Sequence, residues 1–251
     1  MKNFRYDPRL YDLQINWKAR LDREVELLAG IIEEYDVSRV LDIGCGTAHH
    51  LQALSGYADQ LTGIDPLPDT IEYARKNVIK AGNVCLRVGG FEDLNNMDMQ
   101  DFGLIMSLGN TLPLLGSRRK VKLALKHCRN KLAKGGVALF QFLNFNKSII
   151  EENCYYQPKV VMEGKNQYIF LKHFEYGRIK TRADFIITEI GPQKEVAQFG
   201  VNSSWMCTLK KNLFLRMARN QGYSKIRLLG PSGKKEFDYG RDISLYAMLN
   251  K

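Results

Sequence analysis

Val40-Leu41-Asp42-Ile43-Gly44-Cys45-Gly46-Thr47 is the stretch that decides the fold. An apolar run with the look of a buried strand ends in two glycines one residue apart, and helix-compatible sequence resumes at Ala48-His49-His50-Leu51-Gln52-Ala53-Leu54. Glycines allow tight turn conformations and let a ligand lie directly on the main chain. The stretch reads as strand, turn and helix, with a nucleotide-type pocket at the carboxyl end of a first strand.

A second short apolar run, Leu61-Thr62-Gly63-Ile64, closes on Asp65. An acid at the tip of the second strand of a βαβ unit accepts hydrogen bonds from ribose hydroxyls. A dinucleotide fold wants a third glycine in G-x-G-x-x-G, and here Gly44 and Gly46 are followed by His49. That reading weakens.

Asp42-Ile43-Gly44-Cys45-Gly46-Thr47 with Gly63-Ile64-Asp65 resembles the first two motifs of class I S-adenosylmethionine-dependent methyltransferases. The resemblance implies S-adenosyl-L-methionine as cofactor and an α/β, Rossmann-like seven-stranded sheet flanked by helices.

The 251 residues, 45% hydrophobic and 25% charged, suit one globular unit with an elaboration. The start of the chain has no apolar h-region and no run has the length of a membrane span, so a cytoplasmic protein without a membrane partner is expected. Cys45, Cys85, Cys128, Cys154 and Cys207 include no C-x-x-C pair, so neither a zinc site nor a disulfide framework is indicated. Much of the formal charge of +10 is local to residues 117–134, through Arg118, Arg119, Lys122, Lys126, Arg129, Lys131 and Lys134. Val121, Ala124, Leu125, Cys128 and Leu132 recur there at helical spacing, so one face packs and the other is wet. A solvated face is favoured over an RNA-contacting one.

The rest of the chain fills out the sheet. An amphipathic helix spans Asn16 to Tyr35 on the stripe Leu21, Val25, Leu28, Ile32, after a leader bearing Tyr6, Tyr11 and Trp17 that either packs or forms a lid. A helix is expected from Pro68 to Ala81, stopped by Gly82, then strands at 84–88 and 102–107, and a fifth strand at 137–142 entered through Gly135-Gly136. From Cys154 to about Thr208, runs at 168–171, 183–188 and 195–199 with turn signals between them read as a small antiparallel β cap inserted after the fifth strand. A helix over 209–221 and strands over 225–229 and 243–249 return to the sheet. The expected division is a lid and cofactor-binding core over 1–150, the cap over 151–208, and a return to the core over 209–251.

A leader bearing tyrosine and tryptophan, Leu108-Gly109-Asn110 after the fourth strand and the β insertion are together similar to the glycine/sarcosine N-methyltransferase-like branch. Position by position, that similarity implies Arg20 on the cofactor carboxylate, Gly44 and Gly46 beside its methionine moiety, Asp65 on the ribose and a main-chain contact from Leu108. Asp42 and Cys45 complete the glycine-turn set. Phe91 stands in place of an adenine-covering tryptophan or packs in the core, and Glu92 or a backbone amide supplies the polar adenine contact. Asn110 is a turn former or faces the acceptor, with Tyr11, Tyr155 and Tyr156 as further acceptor-side candidates. His49 and His50 are expected half exposed at a helix start. Where that branch has a glycine-binding arginine this chain has Leu143, and losing a bidentate cation costs several kcal/mol of carboxylate binding, so glycine is not the expected acceptor. The expected activity is methyl transfer to the amine nitrogen or hydroxyl of a small molecule, by a monomer or homodimer. An RNA-modifying enzyme using the basic helix and a non-catalytic cofactor-binding module are the alternatives.

Overall fold

A computed structural model describes residues 7–146 and 155–251 of the protein. Tyr6, Cys154 and the expected boundary at 150/151 lie outside the described residues. The chain runs α1 (Pro8–Gln14), α2 (Trp17–Glu34), β1 (Arg39–Ile43), α3 (His49–Leu54), β2 (Gln60–Asp65), α4 (Pro68–Asn77), β3 (Val84–Val88), β4 (Phe102–Ser107) and α5 (Arg118–Lys131). It continues through β5 (Leu132–Leu143), β6 (Lys159–Glu163), β7 (Asn166–Glu175), β8 (Lys180–Ile190), β9 (Val196–Cys207), α6 (Lys211–Asn220), β10 (Ile226–Leu229) and β11 (Ser244–Asn250).

The larger sheet has the order β10-β11-β5-β4-β1-β2-β3, parallel except where β11 runs against both neighbours. Its central strands are buried on both faces, Val40, Leu41, Ile43, Leu104 and Ile105 having no exposed surface, which is why they read as near-continuous apolar runs. β1 is flanked by β2 on one side and β4 on the other, so the chain order reverses beside β1. In such sheets the crevice beyond the strand ends at the reversal is the ligand site.

The second sheet is an antiparallel meander, β6-β7-β8-β9. On β7, Tyr168, Phe170 and Phe174 are buried at alternate positions. Tyr168 and Phe170 pack on Leu10 of α1, and Phe174 joins the main core. The opposite face leaves Val160, Met162, Val201 and Trp205 exposed.

Several local expectations are corrected. The leader forms a helix, because Asp7 accepts from the Arg9 amide at the N-cap and Pro8 occupies the first turn. α4 stops at Asn77 rather than Ala81, because Ile79 bonds back to Ala74 and the Gln52 carbonyl takes the Lys80 and Ala81 amides. β5 begins at Leu132 and includes Lys134. Gly135 (φ +77°) and Gly136 form a bulge inside it, and a Cβ on Gly136 would lie 2.9 Å from the Phe102 carbonyl. β6 adds a strand that sequence reading missed, turning into β7 through Gly164 (φ +59°). On α5, Arg129 donates to the Gly222 carbonyl and Lys131 to that of Met97, so part of the basic excess ties down backbone. No described helix is long and apolar enough to cross a membrane.

Candidate active site

The glycine turn is held from three directions. The Gly44 and Cys45 amides donate to the Ile64 carbonyl at 2.8 and 3.0 Å, tying the turn to the end of β2. Gly44 (φ +73°) leaves no room for a side chain, since a Cβ would come within 2.2 Å of the Thr111 methyl. Gly46 (φ +55°) faces the ring edge of Tyr11, 3.8 Å from where its Cβ would stand. Asp65, 8% exposed, accepts from the Gly46 amide (3.1 Å) and the Leu67 amide (3.0 Å). Burial raises its pKa, against the pull of those two amides.

Beneath the turn lies a buried charge network centred on Glu24 of α2. The Arg20 Nε donates to Glu24 Oε2 at 3.0 Å, His50 Nε2 meets the same oxygen at 2.6 Å, and the Tyr246 hydroxyl donates to Oε1 at 2.9 Å. Burial alone would raise the Glu24 pKa; the His50 hydrogen bond, the charges of Arg20 and His50 and the Tyr246 hydrogen bond overcome it and hold Glu24 at about 2. Burial lowers the pKa of His50, against the pull of its hydrogen bond to Glu24. Arg20 therefore presents a guanidinium fixed by Glu24, stacked over Trp17 at 5.3 Å and 3.6 Å from where a Cβ of Gly109 would stand.

The leader is fastened over this network. Asp12 on α1 accepts from Thr47 Oγ1 (2.6 Å) and Trp17 Nε1 (3.0 Å) and pairs with His49 Nε2 (3.0 Å), while Trp17 and His49 stack at 4.2 Å. Tyr11, on the same helix, has its phenol pushed up by burial, opposed by Arg20, so it stays protonated at neutral pH.

The rim opposite is the segment after β4. Gly109 and Asn110 both have positive φ (+69° and +70°). The Asn110 side-chain Oδ1 accepts from the Leu143 amide at 2.7 Å, and the Gly109 amide donates to Gln141 Oε1 at 2.7 Å. Asn110 thus clamps the end of β4 to the end of β5 and forms the turn. The Leu108 carbonyl accepts from the Thr111 hydroxyl at 2.7 Å.

The structure gathers Tyr11, Arg20, Asp42, Gly44, Gly46, Asp65, Leu108 and Asn110 at the strand ends. Other expected residues fall elsewhere. Cys45 turns its thiol into the core against Gly63, so only its backbone belongs to the turn. Phe91 is 4% exposed within the core cluster containing Leu94 and Val121, which is its packing alternative. Glu92 points to the surface and pairs with Lys120 Nζ at 2.6 Å, because α5 brings a cation closer than the cleft does. Tyr155 is 61% exposed and stacks on His173, next along β7 from the inward-facing positions and therefore on the outer face. Tyr156 packs on Phe174. His50 is buried, not half exposed, because Glu24 partners it. Sequence reading missed Asp12, Glu24, Thr111 and Tyr246; the spacing of Arg20 and Glu24, four apart on one helix, was the available signal for Glu24.

Asp42 is the residue most in need of a partner. It is 2% exposed, and burial pushes its pKa up to about 7, aided by Asp65 and Glu24 and opposed by Arg20. A guanidinium fixed by its own carboxylate, beside a carboxyl group that lacks a cation of its own, fits the carboxylate and ammonium of an amino acid. Two glycines with Asp65 above them fit the nucleoside to which it is joined.

Residues 40–136 match the profile of the methyltransferase domain family. A glycine/sarcosine N-methyltransferase of Parasynechococcus marenigrum is 22% identical over 234 residues, covering 92% of this chain and 77% of that protein. Among solved structures, an amino pentose methyltransferase of Micromonospora echinaspora involved in calicheamicin biosynthesis, with S-adenosylmethionine bound, superposes with a TM-score of 0.73 at 16% identity over all of both chains. A sugar N-methyltransferase of Streptoalloteichus does so at 0.74 and 12%, over 98% of this chain and 93% of its own. The methyltransferase domain over residues 40–136 and the fold shared with S-adenosylmethionine-dependent methyltransferases support an enzyme that uses this cofactor.

Proposed function

We propose that the chain methylates the amine nitrogen of a small-molecule acceptor other than glycine. The observation that carries this reading is the setting of Tyr11: a half-buried phenol whose pKa is pushed up by desolvation, beside Arg20, 3.8 Å from where a side chain at Gly46 would begin, at the seam between the glycine turn and α1. A neutral phenol oxygen accepts a hydrogen bond from an amine and aims its lone pair. Asn110 shapes the rim on the other side. The functions of the three relatives described, at glycine or sarcosine nitrogen, on an amino pentose and at a sugar nitrogen, support nitrogen over oxygen. At the glycine-binding position, Leu143 offers only a backbone amide, already taken by Asn110, which supports an acceptor unlike glycine.

Bound S-adenosylmethionine supplies an electrophilic methyl group on a sulfonium. The protein's work is then alignment and exclusion of water. Arg20, fixed by Glu24, binds the cofactor carboxylate; Asp42 takes the ammonium; Asp65 takes the ribose hydroxyls; the main chain at Gly44, Gly46 and Leu108 lies against the remainder. An ammonium acceptor sheds its proton before reaction, and desolvation beneath the lid and cap lowers the pKa at which it does so.

The test is incubation with methyl-labelled S-adenosylmethionine and separate pools of amino sugars, amino acids, phenols and RNA, reading product mass. Label is expected in an amine of the first two pools. Label confined to phenols or to RNA overturns the proposal, and the RNA result, with salt-sensitive binding, transfers the function to the basic helix.

A further inference from the structure

The inner face of the second sheet carries a lysine in an otherwise apolar row. Alternation along β7 sets Lys172 on the same face as Tyr168, Phe170 and Phe174. Since Phe170 packs on α1 and Phe174 on the main core, Lys172 spans the gap between those two contacts, where lid, cap and core meet. Its neighbour across β8 is Phe185, whose ring centre lies 5.2 Å from the ammonium, and Asn202 follows in the same row on β9.

The charges bearing on Lys172 are those of Arg20 and Lys159, both cations. Arg20 is satisfied by Glu24, and Lys159 donates to the carbonyls of Leu13 and Gln14 at 3.1 and 2.7 Å. Lys172 has no carboxylate within ion-pair distance among the described residues. Burial and those two cations hold its pKa below the ordinary lysine value, and an anion placed beside it would reverse both effects. A half-buried ammonium whose nearest charged influences are cations is costly unless an anion joins it.

We propose that Lys172 is the anion-receiving end of the acceptor site, so that the methyl acceptor is an amine that also carries a carboxylate or phosphoryl group. This rests on the small-molecule reading above and narrows the acceptor within it. The cation absent at Leu143 on the strand end is supplied instead from the cap, across the cleft, and the anion it serves is correspondingly farther from the reacting nitrogen than in glycine. The Phe185 ring beside the ammonium gives that end of the acceptor an apolar wall.

Binding, not turnover, tests this. The full-length protein saturated with S-adenosylhomocysteine is titrated calorimetrically with methyl phosphate in one arm and acetate and glycolate in the other. Saturable binding is expected in one arm, weakened about tenfold or more in Lys172→Met and largely kept in Lys172→Arg, with S-adenosylhomocysteine affinity and circular dichroism unchanged. The arm that binds identifies the acceptor as phosphoryl- or carboxylate-bearing. If Lys172→Met folds poorly, Lys172→Gln, which keeps a polar side chain of similar reach, takes its place. Absence of saturable binding in both arms, or equal binding by wild type and the uncharged variant, overturns the proposal. An unlabelled amine pool in the methylation screen leaves this result untouched, so the two readings fail separately.

Discussion

The two sides of the cleft are made differently. On the sheet side, recognition rests on main chain held in fixed conformations and on carboxylates buried at strand ends: Gly44 against Thr111, Asp65 on two amides, Glu24 locked among Arg20, His50 and Tyr246. On the side of the second sheet, side chains project from an apolar face, and Lys172 stands beside the Phe185 ring with no carboxylate partner among the described residues. The first side suits a ligand common to a whole fold, and the second suits a ligand that differs from one relative to the next. Substitutions on the sheet side should therefore cost stability and cofactor affinity, whereas those on the cap should alter acceptor use.

The largest effect is expected at Glu24. Glu24→Ala leaves Arg20 and His50 buried without their carboxylate and should lower unfolding free energy by about 3–5 kcal/mol in a denaturant titration. The same residue sets an acid limb. Its folded pKa of about 2 is below the ordinary glutamate value of 4.5, so its stabilisation is complete above about 4.5 and is lost as pH falls toward 2. Loss of the acid-limb slope in Glu24→Gln checks the sign. Next is Gly44→Ala, whose Cβ meets Thr111 at a positive φ and should weaken cofactor binding by about 2–4 kcal/mol. Adding Thr111→Ala should recover the steric part only, so full recovery would show that the backbone conformation is not the constraint. Asp65→Ala should cost about 1–3 kcal/mol of cofactor affinity by calorimetry, and an unchanged value removes it from the ribose site. At the seam between the two sides, Asn110→Ala should slow kcat about tenfold, roughly 1.4 kcal/mol in barrier, with cofactor affinity nearly intact. The smallest change is expected at Tyr155, exposed on the outer face of the cap: Tyr155→Ala should move stability by less than about 0.5 kcal/mol and leave turnover alone. A large loss of turnover there would mean that the outer face meets the acceptor.

What could be read in advance follows the same divide. Val40–Thr47 and Asp65 are legible because the turn is encoded locally, by glycines where positive φ is needed and an acid where a strand ends. The order of strands followed from alternating apolar runs and helices. Glu24 was opaque because its partner Tyr246 is remote in sequence, and the stripe through Leu21 and Val25 was drawn about one position off the face that carries Arg20, Glu24, Leu28 and Ile31. Phe91 and Glu92 were misdirected by the approach of α5, which no local pattern predicts. Lys172 was not singled out because it lies just past the apolar run 168–171, and periodicity does not say which face of a strand is turned inward.

The bond between Tyr246 and Glu24 joins positions 222 residues apart. Arg20 depends on Glu24 for its position, so a feature near the start of the chain is finished only when nearly the last strand has been made and threaded between β5 and β10. The glycine turn, Asp65 and the Arg20–Glu24 pair on α2 all precede β11 in the chain, whereas the second oxygen of Glu24 gains its Tyr246 partner only from that last strand. A chain cut short ahead of Ser244 would retain the recognisable motif while leaving one oxygen of the buried Glu24 carboxylate without its hydroxyl donor.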